Sequence, residues 1–151
     1  MAVEKIDDAL IEPGKIVLRA ADDAGMSPCG AAWMYTYDIQ DWRYYLVTPL
    51  VDKPGRFATY KLMLKVLGKL SLPENLTIMD IHLASPNELF FKALSKDMPF
   101  DFVKLGTDVK LHGSRITGIP VEAVIYRMLP MSGDERKIEM TFRSRVRELA
   151  G

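Results

Sequence analysis

The chain has 151 residues, of which 48% are hydrophobic and 26% charged, and its 20 basic residues balance 20 acidic ones. This composition is typical of one globular domain, so we predict a single domain over residues 1–151 and exclude a disordered chain. No apolar run reaches the roughly 18 residues of a membrane-spanning helix, and the zero net charge argues against a general polyanion binder. A lone Cys29 and an acidic N-terminus without a secretory pattern predict a cytoplasmic protein.

Residues 5–24 are predicted to form an amphipathic helical region that Pro13-Gly14 interrupts. A proline inside a helix removes a backbone hydrogen bond and clashes with the preceding turn. Two runs rich in aromatic and β-branched residues, 31–37 and 42–48, then predict a β-hairpin. The segment between them has the length of a hairpin loop.

A strand–helix–strand unit is predicted next. Apolar residues at helical spacing predict a helix over residues 54–70, and residues 77–84 have the composition of a strand. Together with the strand at 42–48, they have the spacing of a right-handed βαβ crossover, in which the two strands are parallel.

A further helix is predicted over residues 86–96. Ser85 is its expected N-cap, Pro86 occupies the first helical position, and Glu88 completes a capping box. The side chains expected to face inward are Leu89, Phe90, Ala93 and Leu94.

The C-terminal third is predicted to return to strands, at residues 109–112 and 121–128. Residues 137–143 alternate as a strand that could pair with 121–128, but a helix fits nearly as well. The apolar face of that helix would consist of Ile138, Phe142, Val146 and Leu149. The predicted fold is therefore α/β with α+β character: a mixed sheet of about five or six strands with two or three helices. We expect one central βαβ unit, whose parallel pair lies in the middle of the sheet between antiparallel hairpins.

Scattered residues between about 30 and 128 resemble a group of short bacterial proteins with the signature WRL…ATPLVD…G…AY. The matching residues are Trp42-Arg43, Thr48-Pro49-Leu50-Val51-Asp52, Gly55, Tyr60, Asp80-Ile81, Ser85-Pro86 and Ile125-Tyr126-Arg127. The resemblance implies a small, stand-alone intracellular protein. It supplies no activity and no catalytic residue to carry over.

The two β-to-α connections of the predicted crossover form the first candidate site. They leave the sheet at the same edge, where helix N-termini offer unpaired N–H groups to anions. We expect Thr48, Asp52, Arg56, Ser85 and Asn87, together with Lys53, to converge there and to hold a small anion. The alternative is that Asp52 and Ser85 only cap their helices.

A second candidate is a Mg²⁺-dependent nuclease site of the PD-(D/E)XK type. That chemistry needs two acidic ligands and a lysine near the attacked phosphate. Asp108 and Lys110 have the acid-x-lysine spacing on one strand face, and Asp80 lies on another predicted strand. No Pro-Asp precedes the triplet, and Asp108 equally fits a turn after Gly106-Thr107.

A third candidate is nucleic-acid binding without chemistry. Lys61, Lys65 and Lys69 recur four residues apart on one face of the predicted helix. Arg143, Arg145 and Arg147 form a second basic cluster. The alternative is that these residues form the solvated outer face of ordinary amphipathic helices.

No constellation of catalytic groups stands out, so the preferred prediction is a non-enzymatic binding or accessory protein. We expect no metal and no cofactor, because two histidines without a third ligand fall short of a zinc site and no phosphate-binding loop is present.

We also predict a homodimer. Both strands of the first hairpin carry large side chains on both faces, so covering one face would leave an aromatic patch exposed. The alternative is that the helix at 5–24 covers this patch and leaves a monomer.

Overall fold

The computed structural model describes residues 5–68, 76–77, 80–89, 91–92, 109–116, 119–129 and 134–150. Within them it has three helices and one five-stranded mixed sheet, which confirms the predicted fold class. The strands are β1 (Gly30–Thr36), β2 (Asp41–Val47), β3 (Ile81–Ala84), β4 (Val109–Ile116) and β5 (Ile119–Met128). The helices are α1 (Ile11–Asp23), α2 (Arg56–Leu67) and α3 (Glu135–Ala150). None of the helices in these ranges is long and apolar enough to cross a membrane.

The sheet order is β3-β2-β1-β5-β4. Strands β1 and β2 form the predicted hairpin, and β2, α2 and β3 form the predicted crossover with parallel strands. The parallel pair lies at one edge of the described sheet, so its predicted place in the middle is wrong. The reason is that β1 uses its other edge to pair with β5, which leaves β3 only the outer edge of β2.

Helix α1 runs through Pro13-Gly14 without a break, so the predicted interruption is wrong. The helix starts at Ile11 after a short 3-10 turn, which places Pro13 in the first turn. The first N–H groups of a helix have no intrahelical acceptor, so a proline there loses no helical hydrogen bond.

Residues 135–150 are helical, which decides between the two predictions for this region in favour of the helix. Phe142 and Val146 are each only 1% exposed and belong to the core. Leu149, which was expected to face inward, is 46% exposed because the last turn runs past the core.

Side chains are buried on both faces of the sheet. On one face Trp33 and Tyr44 pack edge to face, with ring centroids 5.2 Å apart, and the Trp33 indole donates to the Leu10 carbonyl. On the other face Ala32, Val47 and Ile125 are buried in a second apolar cluster. Of the hairpin's aromatic residues, Trp33 and Tyr44 are therefore buried within one chain, whereas Tyr37 is exposed and the others are half-buried.

Candidate functional site

Polar side chains from both β-to-α connections meet beyond the carboxyl ends of β2 and β3. The Asp52 carboxylate accepts hydrogen bonds from the Ser85 hydroxyl at 2.7 Å and from the Asn87 amide at 2.9 Å. Arg56 donates through Nε to the Leu83 carbonyl at 3.0 Å. We call Asp52, Arg56, Ser85, Asn87 and the neighbouring Glu88 the Asp52–Ser85 cluster. The sequence-based prediction that these connections converge agrees with this geometry.

The polar groups of the Asp52–Ser85 cluster also bond to one another. The Arg56 guanidinium lies 3.6 Å from the Glu88 carboxylate, and Ser85 Oγ also accepts the Asn87 backbone N–H at 3.0 Å. Thr48 is fully buried, where its hydroxyl accepts the Leu50 N–H, so it does not face the cluster.

Capping explains part of this arrangement. Ser85 caps the following helical turn, and Glu88 accepts its N–H at a long 3.4 Å, as the capping box predicts. Asp52 does not cap α2, because the N-cap is Gly55.

The predicted inward face of the helix over residues 86–96 is only partly described. Leu89 is 85% exposed, contrary to its expected inward position, and Phe91 is buried instead. Phe90, Ala93 and Leu94 lie outside the described residues.

The electrostatics of the Asp52–Ser85 cluster do not favour an anion. Its central group is a carboxylate, which repels anions, and its guanidinium already contacts a carbonyl and a second carboxylate. The arrangement instead ties the loop after β2 to the loop after β3. Hydrogen bonds of the Arg56 and Tyr60 side chains with the backbone of β3 hold α2 against the parallel strands.

Asp52→Ala is therefore expected to destabilise the fold by about 1 kcal/mol, because the buried Ser85 hydroxyl loses its acceptor. Asp38→Ala, at an exposed position in the β1–β2 turn, is a matched control and should change stability by less than about 0.5 kcal/mol. Urea unfolding measures both. Equal stability of the two variants would show that the loop-to-loop bonds contribute nothing.

The structure places Asp80 and Lys110, two of the three candidate nuclease residues, far apart. Asp80 precedes β3, where its carboxylate accepts the Thr77 N–H at 2.7 Å, and Lys110 lies on β4. β3 and β4 are at opposite edges of the described sheet, four strand spacings or about 19 Å apart. Asp108 lies outside the described residues. Among the described residues, no three acidic, histidine or cysteine side chains are placed to hold a metal.

The basic residues are divided between α2 and α3. Lys61 lies over the Phe57 ring at 5.0 Å, Lys65 is exposed, and Lys69 lies outside the described residues. On α3, Arg143 pairs with Glu139 at 3.1 Å, while Arg145 and Arg147 are exposed.

A cleft of about 320 Å³ opens at the other end of the sheet. The amino end of β2 contributes Trp42, whose ring meets the Tyr35 ring edge to face at 5.8 Å. We call this the Trp42 cleft. Its accessible surface is mostly apolar, although five of its ten lining residues are ionisable. The lining comprises Lys5, Ile6, Asp8, Trp42, Lys110, Leu111, His112, Glu122, Ala123 and Val124.

A histidine–glutamate pair forms one rim of the Trp42 cleft. Glu122 is 8% exposed. One of its carboxylate oxygens accepts a hydrogen bond from the Gly113 N–H at 2.7 Å, and the other is hydrogen-bonded to His112 Nδ1 at 2.8 Å. Gly113 has a φ of 64°, which suits glycine, at a shift in the β4–β5 register. Glu122 therefore holds the bulge that shapes this rim.

Burial shifts the pKa of Cys29 and the pKa of His82. Burial raises the pKa of the Cys29 thiol to about 11, so the thiol is protonated at neutral pH and is a poor nucleophile. Burial, followed by the nearby Arg56 and Arg43, lowers the pKa of His82, whose ring packs against Tyr45.

Comparisons with protein families, with curated proteins and with solved structures find no match for this chain. The resemblance to the short bacterial group therefore stays a prediction.

Proposed function

We propose that the protein is a non-enzymatic binding protein whose ligand occupies the Trp42 cleft. The observation that carries this proposal is a mostly apolar cleft of about 320 Å³ with a few polar groups at its rim. Sites for small molecules have volumes of about 300–1,000 Å³ and this same mixture of apolar walls and sparse polar groups.

The polar groups favour a small molecule with an apolar body and one acidic group. Lys5 and Lys110 are exposed and form no ion pair within the described ranges, so two ammonium groups are open to a ligand. Glu122 already uses both carboxylate oxygens, which leaves Asp8 as the competing carboxylate. The apolar body would lie against Trp42, Ile6 and Val124.

The two tryptophans of the chain provide the test. Trp42 lines the cleft, whereas Trp33 is 2% exposed beneath α1, so Trp42 should respond more strongly than Trp33 to a ligand. We expect anilinonaphthalene sulfonate, an apolar dye with one anionic group, to change the tryptophan emission of the protein. The response should become smaller in Trp42→Phe, because only the buried Trp33 then emits and it reaches the dye only by energy transfer.

Lys110→Glu should weaken binding of this dye by roughly tenfold, because the variant replaces an attractive charge with a repulsive one. Lys137→Glu, at an exposed position on α3, is the matched control and should leave binding unchanged. No tryptophan response in the native protein, or equal dye binding by the two variants, would reject the Trp42 cleft as the site.

A cytoplasmic location and a homodimer remain predictions. The free, buried Cys29 thiol, which donates to the Val47 carbonyl at 3.4 Å, is consistent with a reducing compartment. Burial of Trp33 and Tyr44 within one chain reduces the aromatic surface on which the dimer prediction depends, whereas Tyr37 is still exposed. Light scattering that gives the mass of one chain would contradict it.

A further inference from the structure

Helix α2 has an exposed side on which apolar and basic residues alternate. Phe57 is 74% exposed and Leu64 is 51% exposed, and their spacing of seven residues, about two helical turns, places them on the same side. Lys61 and Lys65 are exposed on that side as well. We call these four residues the α2 stripe. The opposite side of the helix is buried and consists of Thr59, Met63 and Leu67.

The α2 stripe is positively charged. Residues 56–67 contain Arg56, Lys61 and Lys65 and no acidic residue. Arg56 is engaged by Leu83 and Glu88, so the two lysines carry the available charge. Lys61 contacts the Phe57 ring, and Lys65 has no ion pair in the described part of the chain.

We propose that the α2 stripe docks an acidic amphipathic helix of another protein. Apolar residues at positions i, i+3 or i+4, and i+7 of such a helix would cover Phe57 and Leu64. Aspartate or glutamate residues beside them would pair with Lys61 and Lys65. No residue of the stripe lines the Trp42 cleft, so this interaction is separate from the proposed ligand site.

Two other occupants, a second copy of the chain and a nucleic acid, fit the α2 stripe less well. A second copy related by a two-fold axis would present the same lysines to one another, because such an interface pairs a surface with itself. A nucleic acid would leave Leu64 without an apolar partner, and two free lysines neutralise few phosphates. Both occupants are outcomes of the experiment below.

The test is selection from a phage-displayed library of helical peptides against the whole protein. Enriched sequences should alternate apolar and acidic residues at helical spacing. The most enriched peptide, labelled for fluorescence anisotropy, should bind Phe57→Ser at least about tenfold more weakly than the native protein. Met140→Ser, which alters a 66% exposed residue of α3, is the matched control and should bind the peptide normally.

A charge exchange completes the test. Lys61→Glu should weaken the peptide about tenfold, and changing the peptide's facing carboxylate to lysine should restore binding. Lack of enrichment, enriched peptides without acidic residues, or equal binding by Phe57→Ser and Met140→Ser would overturn the proposal. Duplex DNA binding that Lys61→Glu abolishes, or a dimer that Phe57→Ser dissociates, would overturn it in favour of that occupant.

Discussion

Phe142→Ala is expected to lower the free energy of unfolding by about 3–5 kcal/mol, the usual effect of truncating a buried aromatic side chain. Phe142 is 1% exposed and belongs to the core cluster that also contains Met63 and Leu67 of α2. Its ring therefore packs α3 against α2 and the rest of the core. Urea unfolding, followed by circular dichroism and by tryptophan emission, measures the effect.

Met140→Ala is the matched control, because Met140 is a large apolar residue of the same helix but is 66% exposed. It should change stability by less than about 0.5 kcal/mol. Since Phe142→Ala removes a large share of a typical stability of about 5–15 kcal/mol, Phe142→Leu provides a milder variant with an expected cost near 1 kcal/mol. Equal effects at positions 140 and 142 would contradict the observed face of α3.

This helix also shows where sequence periodicity reaches its limit. Residues 137–143 alternate as a strand would, yet Phe142 and Val146 also have helical spacing. Only contacts with residues that are distant in the chain distinguish the strand from the helix, and the periodicity of the sequence gives no information about those contacts. The first hairpin and the βαβ crossover were predictable because their periodicity, loop lengths and connection agree with one another.

The Asp52–Ser85 cluster was partly predictable. The carboxyl ends of parallel strands lie at one edge of a sheet, so the rule that brings Asp52 near Ser85 is topological. The rule does not say which donor meets which acceptor. The carboxylate of Asp52 binds the Ser85 hydroxyl rather than the N-terminus of α2, and its negative charge disfavours the expected anion.

The Trp42 cleft was not predictable, because its walls come from segments far apart in the chain. The sheet brings the start of β2 together with the middle of β4 and β5, and the N-terminal segment packs beside them from outside the sheet. Glu122 was a usable signal, since a carboxylate in the apolar strand 121–128 requires a partner. The sequence could not identify that partner as His112, because the bulge in β4 sets their approach.

Gly14→Ala is expected to destabilise the protein by about 2 kcal/mol, although helix propensity alone predicts a gain of about 1 kcal/mol. A Cβ atom at Gly14 would overlap the Tyr126 hydroxyl oxygen and would lie 2.7 Å from ring carbons Cε2 and Cζ. The ring would have to move, which would break the 2.7 Å hydrogen bond from Tyr126 to the Ile11 carbonyl. Urea unfolding of the single variant measures the net effect.

The sign of this effect should reverse when the contact is removed. Tyr126→Leu deletes Cε2, Cζ and the hydroxyl oxygen, which are the atoms nearest the added Cβ, and keeps an apolar side chain beneath α1. In that background Gly14→Ala should stabilise the protein by about 1 kcal/mol, because only the helical preference of alanine remains. The structural reason for a glycine beside Pro13 would then be the close approach of β5 rather than an end of the helix. A loss of the same size in both backgrounds would show that the Tyr126 ring is not what excludes a side chain at Gly14.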